Sequence, residues 1–470
     1  MNKTTVSLSA AGLTMLMAGQ LLPLIDFSIV NVALGSIAES LHATHIELEL
    51  MVAVYGVGFA ICLAMGGRLG DNYGRRRLFL VGVSVFGLAS LGCGLSMTIE
   101  SLLFARALQG IGAALIVPQI LATIHVSLSG ARHSFAIGFY GAIGGLAFVL
   151  GQVLGGWLVS ADVAGLGWRS VFLINIPICI GVLIGTHFCV PETQSDYPVG
   201  VDWSGTFLLA LALLCLLIPV ALGPEYSWSW PFIVTLLCVI PLLFLLWKVE
   251  QVKERAGQAP LLPPHLLILP SIQFGLILAI LFFACWSGFM FSVALTLQAG
   301  LGLSPLASGN AFIVLGMSYF FGSLNSAKVA GRIGNLNTLF LGCGIQMPGI
   351  LVLIWTFYHY WPDISILSLV PGTILMGIGQ SFIVGSFFRI GLSEVTTKDA
   401  GAGSAILTTV QQAAFGLGSA LLGSIAYQVL SVTNSNRSAI VVALCAEFLL
   451  MLLVVLSALM FRSRLKRASV

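Results

Sequence analysis

The sequence predicts an all-α integral membrane protein, built as two bundles of six transmembrane helices with two further helices inserted between them. Three observations predict this. Of 470 residues, 58% are hydrophobic and 8% charged, against about 25% charged in a soluble domain, and the mean hydropathy is +1.04. The chain divides into fourteen apolar runs, each close to the roughly 20 residues a helix needs to cross the hydrocarbon core. Its basic residues fall almost wholly on one side of those runs, which is the bias that sets orientation.

The first run, 11–34, follows Lys3 as a signal peptide would, but it carries Asp26 and is followed by a string of similar runs. It therefore reads as a retained span. Runs 50–69, 78–97, 102–128, 135–160 and 170–190 complete a first bundle, residues 1–190. Runs 203–222 and 231–248 are joined by "GPEYSWSWP", short and Trp-rich as suits an interface. With the linker "EQVKERAGQAPLLPPH" (250–265) they form an insert, residues 191–265. Runs 271–297, 306–327, 338–357, 364–388, 402–428 and 439–461 make the second bundle, residues 266–470.

An even number of spans puts both termini on one side. Assigning that side to the cytoplasm collects there all 20 basic residues, from Lys3 through Arg68 and Lys398 to Arg467, except Arg106, Arg169 and Arg437. One span more or fewer would invert every later loop, so the bias supports the span count as well as a plasma membrane, bacterial inner membrane, orientation. The nine cysteines lie in or beside apolar runs without the close spacing of a metal or disulfide framework. They read as small buried hydrophobes.

A weak repeat appears at an offset of 260 residues. "GRLGDNYGRRR" (67–77) aligns with "AKVAGRIGNLN" (327–337), pairing Arg68 with Lys328 and Gly74 with Gly334. Each segment joins the second and third spans of its bundle. Parallel repeats of this kind are a transporter architecture.

Four stretches carry candidate chemistry. In "LPLIDFSIVNVAL" (22–34), Asp26 is an ionisable group in an apolar span, by default a functional position. In the short turn "GGRLGDNYGRRR" (66–77), Asp71 follows a helix C-terminus, where a negative charge opposes the macrodipole. It needs a partner, either Arg75, Arg76 and Arg77 or the N-terminus of another helix. "LLFARALQGIGAALIVP" places Arg106 and Gln109 one turn apart, on one helix face. Arg106 enters early in its span, where it is expected partly wet and snorkelling. "GFYGAIGGLAFVLGQVLGGWL" is dense in glycine, including Gly151, Gly155 and Gly156. Small residues at such spacing let helices approach closely, and Gln152 among them needs a partner or faces a pathway.

These stretches resemble the major facilitator superfamily. The turn is similar to its signature G-x-L-x-D-R-x-G-R-[KR] at Gly67, Leu69, Asp71, Gly74, Arg75 and Arg76, with Asn72 for the usual arginine. The resemblance implies a cytoplasmic latch of the outward-open state. Arg106, Gln109, Gly110, Gly112 and Ala113 resemble the R-x-x-Q-G-x-G-A motif, which implies that Arg106 belongs to a proton-transfer network near the first span. Gly138, Gly151 and Gly155 follow the fifth-span pattern G-x8-G-x3-G-P-x2-G of drug:proton antiporters, with Ala147 for a glycine and Gln152 for the proline. That departure removes an intrinsic kink. The opening stretch resembles L-D-x-T-[IV]-V-N-V-A-L-P of the fourteen-span antiporters, matching at Asp26 and Ile29 through Leu34. Ser28 stands for threonine and Gly35 for proline. "WRSVFLINIP" (168–177) and "VDWSG" (201–205) also look like that branch.

Other polar groups in spans are open to two readings. Glu447 either faces a cavity or pairs locally. Trp286 falls at the repeat position of Asp26, so the second bundle has no copy of that acid. With Phe282, Phe283, Phe289, Gln298, Gln411 and Gln412 it could line a cavity for flat cations, or the phenylalanines are lipid-facing or core. His42, His45 and Glu49 in "HATHIELE" read as a solvated external loop rather than a metal site. The absence of HExxH and of a P-loop lysine motif argues against a membrane hydrolase or ATP-driven pump.

Burying a lone charged aspartate costs roughly 2.5–3.5 kcal/mol on insertion scales, which favours the protonated form. An acid so placed can hold a proton and exchange it for a cation. The sequence therefore predicts a proton-coupled antiporter, not an enzyme, that exports lipophilic cationic compounds. It uses the proton gradient and no cofactor or metal. Its partners are substrate, protons and lipid, with no nucleic acid, and it is expected as a monomer. The alternatives are a carrier of an endogenous, anionic metabolite held by Arg106, and a membrane sensor that moves nothing.

Overall fold

The computed structural model of the chain describes residues 8–194, 200–223, 226–396 and 399–468. Lys3 and Lys398, counted in the charge bias, lie outside the described residues. Among those described, every element is helical, as the bilayer requires of a chain whose backbone polar groups must all be satisfied internally.

Six helices make the first set: α1 (Ala10–Leu41), α2 (His45–Tyr73), α3 (Arg75–Gly94), α4 (Ile99–Ser127), α5 (Gly130–Ala161) and α6 (Gly167–Cys189). Two follow, α7 (Trp203–Leu222) and α8 (Trp230–Arg255). The last six are α9 (Pro270–Gly300), α10 (Pro305–Ile333), α11 (Asn335–His359), α12 (Ile366–Gly391), α13 (Ala400–Thr433) and α14 (Asn436–Ala468). Thirteen are long and apolar enough, over described residues, to cross a membrane. The remaining one, α5, is a continuous helix of 32 residues, so fourteen spans stand where the sequence placed them.

The helix starts are encoded locally. Ser9, Thr44, Thr98, Asp202, Ser304 and Ser365 each accept a hydrogen bond from a backbone N–H three residues on, the N-cap arrangement that satisfies orphan donors. Thr44 and Glu47 do so reciprocally. Gly74 (φ 105°) both ends α2 and begins α3, and Gly334 (φ 86°) does the same between α10 and α11. The paired glycines of the 260-residue repeat thus share one backbone role, in a region of φ that favours glycine.

Two boundaries differ from expectation. Helix α8 continues to Arg255, through the start of the expected linker, because "EQVKER" is strongly helix-forming. Helix α1 runs to Leu41 and α2 begins at His45. "HATHIELE" is therefore mostly helix rather than loop.

In the first set α1 packs on α4, α5 and α6, while α2 and α3 pack on α4; in the last set α12 packs on α10 and α11. The two sets meet where α2 lies on α13, α5 on α10 and α1 on α9, and α7 packs on α8, α2 and α13. Among the described residues, the hydrogen bonds directly joining the two sets lie at one end of the molecule, the end of the α1–α2 turn. There Gln298 binds Gly35 and Asn31, Ser160 binds Leu306, and Glu49 binds Ser424.

Candidate functional site

Asp26 and Arg106 meet in the middle of the first set. The Arg106 Nη1 donates to Asp26 Oδ2 in a buried ion pair, with Asp26 0% and Arg106 1% exposed. Arg106 is not partly wet, as its sequence position suggested, because α1, α2 and α6 enclose it. Its Nη1 also donates to Gln109 Oε1 at 2.7 Å and its Nε to the Met51 carbonyl at 3.4 Å. Its Cζ lies 4.3 Å from the Tyr55 ring centroid and 5.8 Å from that of Phe172, stacking that suits a desolvated guanidinium.

The second oxygen of Asp26 is equally occupied. Gln109 Nε2 donates to Asp26 Oδ1 at 2.7 Å, and Asn175 Nδ2 donates to the same oxygen at 3.3 Å. Gln109 and Asn175 also donate to Ser90 Oγ at 2.8 and 3.2 Å. One network therefore ties α1, α3, α4 and α6. Asp26 is not the lone acid of the sequence argument: a guanidinium and two amides offset its burial, as a buried charge requires.

Glycines set these distances. A methyl at Gly110 would strike the Tyr55 carbonyl, and one at Gly112 would come 2.6 Å from Phe86 N, so both let α4 sit close to α2 and α3. On α5, a methyl at Gly151 would strike Ser28 Oγ and lie 2.8 Å from the Ile25 carbonyl, beside Asp26. At Gly155 it would lie 2.6 Å from Ile29 Cγ1, and at Gly156 2.9 Å from Leu306 Cα. Gln152 is fully buried, and neither of its side-chain amide atoms has a hydrogen-bond partner among the described residues. Gly35, standing where the resembling pattern has proline, donates its N–H to Gln298 Oε1 at 3.0 Å. A proline has no such donor.

In the second set the aromatic group is packed inside. Trp286 stacks on Phe283 at 6.3 Å and meets Tyr319 at 5.3 Å and Phe415 at 6.0 Å. Phe415 lies 4.7 Å from Phe27, the residue after Asp26, so an aromatic chain leads from the ion pair to Trp286. The phenylalanines are not lipid-facing: Phe282, Phe283 and Phe289 are buried. Turns of wider, π-type helix at Ala279–Phe283 and Thr296–Gly300 flank this part of α9, a feature often found at functional positions. Glu447 is fully buried, and neither carboxyl oxygen has a hydrogen-bond partner among the described residues. Its backbone carbonyl accepts from Cys285 Sγ at 3.9 Å. The structure does not bring Glu447 into the Asp26 network.

At the opposite end from the joining bonds, Asp71 pairs with Arg75, whose Nε and Nη2 lie 3.0 and 2.6 Å from Oδ1. Its partner is thus the arginine one turn on. Glu192, which nothing in the sequence singled out, caps α3 by accepting from the backbone N–H groups of Arg76 at 3.0 Å and Arg77 at 3.2 Å. Arg76 Nη1 reaches the Val190 carbonyl at 3.2 Å. A methyl at Gly74 would lie 2.7 Å from Glu192 Oε1, whereas one at Gly67 meets only Pro118, at 3.7 Å. Close packing of α2 on α4 falls instead to Gly66, whose methyl would lie 2.5 Å from the Ala114 carbonyl.

The family model of the Major Facilitator Superfamily matches two stretches, residues 16–202 and 203–419. Over 422 residues the chain is 34% identical to the probable actinorhodin transporter of Streptomyces coelicolor, covering 89% of this chain and 73% of that one. It is 31% identical over 427 residues to the puromycin resistance protein pur8 of Streptomyces alboniger, covering 88% and 81%. It is 30% identical over 440 residues to the multidrug resistance protein Stp of Mycobacterium tuberculosis, covering 92% and 78%. Among solved structures, a D-xylose–proton symporter superposes with TM-score 0.66 at 15% identity, covering 94% of this chain and 96% of that one. A bacterial homolog of the human lysosomal transporter Spinster does so with TM-score 0.66 at 16% identity, covering 96% of each. These two likenesses concern the fold.

Proposed function

The chain belongs to the major facilitator superfamily, and on that premise we propose that it is a proton-coupled antiporter exporting lipophilic cationic compounds by alternating access. One observation carries the reading. Asp26 is the buried acid on which donors from α4 and α6 converge, and among the described residues its charge is balanced by Arg106 alone. A proton arriving on Asp26 cancels that balance and leaves a buried guanidinium unpaired, a cost of several kcal/mol in comparable sites. Rearrangement of α1 against α4 relieves it, which couples protonation to movement. Relatives named for drug and antibiotic resistance support a drug-like cargo. The aromatic chain from Phe27 to Trp286 offers faces for a flat cation beside the acid.

In this reading the protein sits in the bacterial inner membrane with both termini inside and acts as a monomer. Residues 1–190 and 266–470 move as two bundles, and 191–265 form the insert. One proton exchanged for one monovalent cation is electroneutral. Export of a neutral compound would add one charge, worth about 2.3 kcal/mol per 100 mV. A second reading keeps the carrier and makes an endogenous metabolite the cargo. An anionic cargo held by Arg106 has less support, since Asp26 already takes that charge.

The test uses everted membrane vesicles given ethidium, puromycin and a panel of organic acids. Asp26→Asn should abolish the proton release that accompanies uptake of a transported cation. Full coupling in that variant would sink the assignment of Asp26, and transport confined to the acids would favour the metabolite reading.

A further inference from the structure

A second acid is buried between the two sets of helices, at the end where they are joined. Glu49 of α2 is 0% exposed. Its Oε1 lies 3.0 Å from His45 Nδ1, and its Oε2 accepts from Ser424 Oγ of α13 at 3.1 Å. Neighbouring elements pack around the pair and leave 17% of the His45 side chain exposed and none of Glu49. From α13, the Tyr427 ring lies 5.3 Å from the imidazole, and a methyl at Gly423 would lie 2.5 Å from Glu49 Oε1. From α9, Phe291 meets the imidazole edge-on at 5.7 Å. From α7, the Val220 carbonyl lies 3.2 Å from Ser424 Oγ. At this end, Glu39 of α1, His42 just after it and Glu100 at the start of α4 are exposed; Asp26 and Arg106 are engaged with each other, and Glu47 is held by Thr44.

The pair can therefore be buried at low cost only as a neutral unit. A carboxylate beside a neutral imidazole would be an unpaired buried charge, and so would a neutral acid beside an imidazolium. A neutral unit contains one proton, whether it lies on oxygen or nitrogen. We propose that His45 and Glu49 form a second proton site, loaded when α2 and α13 are together and emptied when they part. The site spans the seam, because Glu49 comes from one set and its hydroxyl donor from the other. Parting exposes both groups to water, where a carboxyl and an imidazole titrate near 4.3 and 6.5. Below about pH 6.5 the parted pair still holds one proton and closing takes up none. Above it, closing must take up one, so the seam opens more readily as pH rises.

This rests on the alternating-access reading, but its test needs no substrate. Hydrogen–deuterium exchange of segments 45–57 and 417–433 is measured on the full chain in lipid nanodiscs, equilibrated at pH 5.5 and 8.5 and corrected for intrinsic exchange. In the parent, opening should increase by roughly a hundredfold across that interval, two decades above pH 6.5. Glu49→Gln needs no proton to be buried, so the response should reverse, with about tenfold more opening at pH 5.5 as His45 gains a proton in water. His45→Gln leaves the acid alone and should move the onset of opening down to near pH 4.3. A flat parent, or a parent-like rise in Glu49→Gln, overturns the proposal. A parent that moves no protons with any cation would sink the antiport reading and leave this result standing.

Discussion

Asn175 on α6 reaches Asp26 on α1 across 149 residues of chain, placing its Nδ2 3.3 Å from the same oxygen that Gln109 holds at 2.7 Å. A hydrogen bond to a charged group is worth about 1.5–3 kcal/mol. Asn175→Leu keeps the branched shape and deletes the donor, so on the proposed antiport reading it should slow efflux driven by a pH step by roughly tenfold or more, by the same magnitude. Initial rates of efflux driven by a pH step in proteoliposomes measure this. Parent rates at parent expression would remove Asn175 from the working parts of the site.

The contact of α5 with α1 makes a steric prediction. Gly151→Ala pushes a methyl onto Ser28 and the Ile25 carbonyl, an overpacking that costs about 1–3 kcal/mol. Gly144 on the same helix has nothing among the described residues within 4 Å of the added methyl, so Gly144→Ala should hold or raise stability, alanine being the better helix former. Thermal unfolding of the purified variants decides the matter. A drop at both positions, or at neither, would mean that the close approach of α5 to α1 does not govern stability here.

How far the site could be read from sequence depended on chemistry rather than on position. Asp26, Arg106 and Gln109 stood out because each is strongly polar in an apolar run, and their meeting is what burial demands. Ser90 and Asn175 did not, since a single small polar residue in a span is ordinary and only the tertiary contact with Asp26 gives it a role. His45 and Glu49 were misread as surface because "HATHIELE" alternates like a wet segment. Their burial comes from α13, 375 residues away at Ser424. The fourteen helices were legible from length and hydropathy, which the bilayer enforces span by span. Gly35 shows the converse, a departure from a motif whose reason, a hydrogen bond to Gln298, lies in another helix.

Asp202 ties the start of α7 to the end of α8 and gives a pH prediction outside the spans. Burial works against its charge. The Lys253 ammonium and the backbone N–H groups of Gly205 and Leu261, the latter two at 2.7 and 2.9 Å, outweigh this and hold its carboxyl below the ordinary value. A carboxyl depressed in the folded state adds stability above its unfolded value of about 3.9, and that contribution is lost as pH falls through the lower folded value. Asp202→Asn should therefore lower the unfolding temperature at pH 7 and at pH 5. The gap to the parent should narrow once pH drops below about 4. Equal unfolding temperatures at pH 7 would show that the charge of Asp202 contributes nothing to joining α7 to α8. Arg68 should feel the same loss, because it donates to the Ala259 and Pro260 carbonyls in the segment whose Leu261 N–H binds Asp202. The Asp202→Asn protein should consequently show faster proteolysis in 256–265 at pH 7 than the parent.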